Sequence, residues 1–108
     1  MFISTSERIT NHEITEYLGI VSGEAFIGSN LLSELQNEVR DVIGSGETGV
    51  HAAIQKAKDL AVSEMRKNAE KLGATGVISV DLDFQAIPQG ASSTMLMVSA
   101  NGTAVICI

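Results

Sequence analysis

A chain of 108 residues, 44% hydrophobic and only 19% charged, is long enough for one domain around one core and apolar for so short a chain. Its net charge of -6 and pI near 4.7 leave no basic field for phosphates, so nucleic acid is excluded as an expected partner. The single cysteine, Cys107, excludes an intrachain disulfide and any Cys-x-x-Cys metal or redox motif.

The first ten residues hold polar Ser4, Thr5, Ser6, Glu7 and Arg8, where a secretory segment would be apolar. No apolar run approaches the ~18 residues of a membrane span. The expected location is therefore the cytoplasm, without a membrane partner.

From Glu13 to Ile27 the sequence EITEYLGIVSGEAFI predicts a long strand that bends or bulges at Gly19 and Gly23. Ile14, Leu18, Ile20 and Phe26 share one face, and Tyr17, Val21, Ala25 and Ile27 the other. Both faces are therefore expected to be covered, one by helices and one by a neighbouring subunit. Gly28 breaks the strand, and Ser29 or Asn30 caps a helix over LLSELQNEVRDVIG, residues 31–44, whose leucines and valines fall at helical spacing. A second helix from Thr48 to Leu72 carries the stripe Val50, Ile54, Ala57, Leu60, Ala61, Met65 and Leu72. Lys67 and Lys71 suit its negative end, and Gly73 is placed for a left-handed stop.

The segment VISVDLDFQA, Val77 to Ala86, alternates strictly. Ile78, Val80, Leu82, Phe84 and Ala86 face a core, and Ser79, Asp81, Asp83 and Gln85 face away. A loop around Pro88 and Gly90 leads into a last strand from Thr94 to about Cys107, with a bulge expected at Asn101 and Gly102.

These elements make an α+β fold in the order strand, helix, helix, strand, strand. The helical crossover makes the first two strands parallel, and the third inserts between them as an antiparallel partner. The result is a three-stranded mixed sheet with two helices on one face, forming one domain over residues 1–108. Such a sheet leaves a face and its edges open, so the expected partner is the chain itself, in a closed homo-oligomer.

Four blocks, GIVSGEAFIGSNLL at 19–32, RDVIGSGETG at 40–49, LGATGVISVDLDF at 72–84 and MLMVSANGTAV at 95–105, resemble the YbjQ family. The resemblance covers nearly the whole chain. It implies a dodecin-like subunit assembled into a homopentamer, in a family of uncharacterised role labelled heavy-metal-binding. Many members carry a basic residue in the glycine-rich stretch near residue 45, whereas Ser45, Gly46, Glu47 and Thr48 bring no cation.

A soft-metal site needs converging thiolates and imidazoles, and this chain has only Cys107, His12 and His51, far apart in sequence. Their plain reading is a small apolar strand residue and two surface histidines. Asp81 and Asp83 are the better pair, because residues two apart on a strand share a face and their carboxylates could hold a hard cation. Ser79, Ser99, Asn101 and Thr103 offer neutral oxygens, and Glu24 in the SGEA segment is a further metal candidate. The plain alternative for all of these is a solvated or intersubunit polar face.

Glycines 44, 46 and 49 before a helix could cradle an anion, but Glu47 opposes one, and a hinge is the simpler reading. Met95, Leu96 and Met97 could line an apolar intersubunit pocket. No Ser or Cys sits in a recognisable nucleophile motif. The expected function is therefore a non-catalytic, homo-oligomeric protein that binds a divalent metal ion. A small-molecule carrier with an apolar intersubunit pocket is the alternative.

Overall fold

Alternating apolar residues produce the strands, and their register fixes which side chains meet. The computed structural model describes residues 1–27, 46–88 and 94–108. Strand β1 (Phe2–Ile3), β2 (Ile14–Ile27), helix α1 (Gly46–Lys71), β3 (Gly76–Pro88) and β4 (Thr94–Cys107) follow in chain order. The sheet order is β1-β3-β4-β2, with β4 antiparallel to both β2 and β3, and β1 parallel to β3.

The expected insertion of the last strand between the other two is therefore found, but the three-stranded, two-helix description is corrected. The sheet has four strands, and one helix is present among the described residues. The predicted first helix, 31–44, lies outside them. Strand β1 escapes a sequence reading because its hydrogen bonds are made to residues distant in sequence, beyond α1: Phe2 N–H donates to Thr75 C=O, and Ser4 N–H to Val77 C=O.

Residues directly opposite in an antiparallel pair share a face, so the register divides the sheet into a near face under α1 and a far face. The near face holds Val21, Ala25 and Ile27 of β2, Val98, Ala100 and Ala104 of β4, and Val77 and Val80 of β3, all buried. Helix α1 adds Ala53, Ala57, Ala61, Met65 and Ala69. This alanine row lets the helix approach closely. A Cβ at Gly23 would collide with the backbone of Ala61 and Met65, so Gly23 serves contact, and the ladder runs through it without a bulge.

Leu60 and Leu72, expected on the packed stripe, are about half exposed instead. The helix lies over β2 and β4 and barely over β3, which leaves Phe84 at 46% exposure although it points to the near face. Gly73 ends α1 in the left-handed region (φ 83). Ala74 N–H donates to Ala69 C=O and Gly73 N–H to Glu70 C=O, a paired closure that satisfies the last free carbonyls.

Two irregularities change the predicted faces. The register slips between Tyr17 and Gly19, which turns Leu18 toward the core and leaves Tyr17 on the far face. On β3 the slip lies between Ile78 and Asp81, opposite Gly102. The expected bulge at Asn101 and Gly102 is thus carried by the partner strand. A Cβ at Gly102 would stand 2.6 Å from Val77 Cγ1, so the glycine makes room for the bulge. Ser79 adopts φ 54 there, and Ile78, expected beside Val80, turns to the far face opposite Thr103.

Candidate metal centre

The far face carries the predicted metal candidates in two rows. Asp83 stands opposite Ser99, which stands opposite Glu24; Asp81 stands opposite Asn101, which stands opposite Ser22. Alternation along β3 places both aspartates on this side, and the ladder through β4 brings Glu24 to the same side. The structure thus gathers Asp81, Asp83 and Glu24 onto one surface, with hydroxyl and amide oxygens between them. Ser79 is separated from this set by the bulge.

Strand spacing limits what one subunit can do. Residues two apart on a strand are about 7 Å apart, and Glu24 lies two strands from Asp83, about 10 Å away. Ligand oxygens must all come within about 2.3–2.6 Å of a calcium ion. Among the described residues no group of three or more His, Cys, Asp or Glu converges in that way. Asp83 also accepts the backbone N–H of Phe84 at 3.1 Å, which commits one of its oxygens locally.

The soft ligands do not assemble either. Cys107 is buried, with its own N–H donated to Thr75 Oγ1 at 2.8 Å and its sulfur 3.5 Å from the same hydroxyl. The His12 ring packs on Phe2 with centroids 4.3 Å apart, and His51 is an exposed helix residue. The rows that hold Asp81, Asp83 and Glu24 therefore offer oxygen donors, suited to a hard cation and ill suited to a thiophilic one. Met95 and Met97 fall on the far face and Leu96 on the near one, packed against the core, so the expected methionine pocket is divided between two faces. Gly46 is the first residue of α1, and Gly44 lies outside the described residues.

A family profile described as "Putative heavy-metal-binding" matches residues 1–108. The chain belongs to this family, the YbjQ family. A crystal structure of a protein of unknown function from Pediococcus pentosaceus, assigned to the DUF74 family, is similar with a TM-score of 0.64 at 17% identity. The match covers 100% of this chain and 98% of that one, which shows a shared fold. Among the described residues of this YbjQ-family chain, no helix is long and apolar enough to cross a membrane.

One feature of the far face lies outside any sequence signal. The N-terminal residues fold across one end of it and make a groove with Arg8, His12 and Tyr17 among its walls. Their partners are supplied by β3 and β4, so no local pattern in the polar N-terminal segment marks them.

Proposed function

We propose that this YbjQ-family chain is a non-catalytic, self-assembling cytoplasmic protein that holds a hard divalent cation against the far face, with the coordination completed by a second copy. The observation that carries this reading is the placement of Asp81, Asp83 and Glu24 on a sheet face that the described residues leave bare beside exposed Ile20 and Phe26. One subunit brings too few oxygens close enough, and assembly around an axis multiplies each ligand without any further sequence signal. The family description supports a metal, and a pentamer is what the resemblance to the YbjQ family implies.

The test is calorimetry with calcium, magnesium and manganese on the assembled protein. The Asp81→Asn/Asp83→Asn variant is expected to lose the binding heat while light scattering still shows the ring. Cys107→Ser should bind as the unaltered protein does, because the thiol belongs to the packed end of β4. Absence of heat with every divalent metal, or an unaffected double variant, would remove the cation from this face.

A further inference from the structure

The described residues leave the far face bare over most of its length but cover it at the end where Gly76, Cys107 and Ile14 lie. There the chain leaves the outer edge of β3 and crosses to β2 as a strap. Val80 N–H donates to Ser4 C=O and Ser79 N–H to Ser6 C=O. Ile9 stands over Gly76, where an added Cβ would come within 3.2 Å of its Cδ1. The strap ends in paired bonds between Glu13 and Ile108. Between strap and sheet lies a groove of ≈ 820 Å³, within the size range of small-molecule sites.

We propose that this groove binds a small aromatic carboxylate, an activity separate from the cation reading above. Ile14 and Ile78 give it apolar surface, Tyr17 supplies an aromatic ring, and Ser79 and Thr103 bring hydroxyls. Arg8 provides the charge. It is the one Lys or Arg outside α1 among the described residues, and it makes no ion pair among them. A guanidinium pairs with a carboxylate through two parallel hydrogen bonds, which orients the ligand as well as holding it. Glu7 is the single carboxylate among the described lining residues, while Asp81, Asp83 and Glu24 stand further along the sheet.

The groove is also built in advance of any ligand. Both non-glycine residues with left-handed backbone, Asn11 (φ 66) and Ser79 (φ 54), line it. Such conformations persist where surrounding bonds impose them, and they gather at binding sites. Here the Ser79 N–H bond to Ser6 C=O and the His12 N–H bond to Ile9 C=O, at 2.9 and 3.1 Å, hold the two positions. A preformed wall lowers the ordering cost of binding.

Benzoate is the probe, with benzyl alcohol as its neutral counterpart, in an amide-resolved NMR titration of the full chain. Benzoate is expected to shift the amides of Arg8, His12 and Ser79 along one saturating curve. Benzyl alcohol, or benzoate with Arg8→Gln, should bind at least tenfold more weakly, and Tyr17→Ala should weaken benzoate too. Arg8 and Tyr17 are exposed, so both variants should keep the fold. The Asp81→Asn/Asp83→Asn variant should bind benzoate as the unaltered protein does, which separates this site from the cation face. Non-saturating shifts, equal affinity for the alcohol, or unchanged affinity in Arg8→Gln would each overturn the proposal.

Discussion

Gly23 and Ser79 occupy opposite kinds of backbone position, and substitutions at each should fail for different reasons. At Gly23 the conformation is ordinary and the space is absent, because α1 lies on the strand with Ala61 and Met65 against it. Gly23→Ala must push the helix outward, and a loss of about 2–3 kcal/mol in urea denaturation is expected, the size of an overpacked core. At Ser79 the space is open and the conformation is costly, with φ 54 on an exposed residue. Ser79→Gly should therefore stay within about 0.5 kcal/mol of the unaltered protein, since relief of the left-handed cost offsets the greater freedom of the unfolded chain. Ser79→Val should lose about 1–2 kcal/mol, because a β-branched residue is poorly tolerated there. A Val variant as stable as the Gly variant would show that the bulge does not need its left-handed residue.

Among the elements, β1 depends most on the rest of the molecule. Two residues long, it survives because Ser4 both donates to Val77 C=O and accepts from Val80 N–H. Ser4→Pro removes the donor, so about 1–3 kcal/mol should be lost. Amide exchange at Ser79 and Val80 should quicken while Val98, in the centre of the sheet, stays protected; uniform change at all three would mean global unfolding instead of a released strap.

The same contrast explains what was legible in the sequence. The end of α1 could be read from Gly73 because that closure is local, and the order of β2, β4 and β3 followed from connection rules. The shared face of Asp81 and Asp83 followed from alternation, whereas Glu24 joins them only through the register across β4. Strand β1 could not be read, because its partners Gly76 and Val77 lie far along the chain, beyond α1. The packed face of α1 was legible at Ala57, Ala61 and Met65 but misread at Leu60 and Leu72, because Gly23 admits an alanine row and side-chain size stopped indicating burial. Ile78 was misplaced because the room for a bulge opposite Gly102 decides its face.

The dimensions of the whole molecule bear on assembly. Strands of 14 residues at about 3.3 Å each run about 46 Å, and the molecule measures 48 × 31 × 21 Å with a radius of gyration of 16.6 Å. A compact domain of this length would have a radius near 13 Å, so this is a long, thin plate. Ile20 is 86% exposed and Phe26 45%, both on the far face of β2, and β2 is an edge strand whose outer side pairs with nothing among the described residues. Asn68 Nδ2 donates to the Ser22 carbonyl at 2.8 Å, which occupies one edge acceptor and leaves most of the edge open. Open edges and apolar side chains at this density are what a second copy would cover. Ile20→Lys places a charge in the middle of that surface without touching the near-face core. The expected result is a shift to monomer at micromolar concentration in light scattering, with an unchanged circular dichroism spectrum. The unaltered protein, if assembled, should also melt at a temperature that rises with its concentration, because association stabilises only the folded form. An Ile20→Lys protein that still assembles would move the interface from the far face to the strand edges, and a concentration-independent melt with a monomeric mass would remove self-assembly altogether.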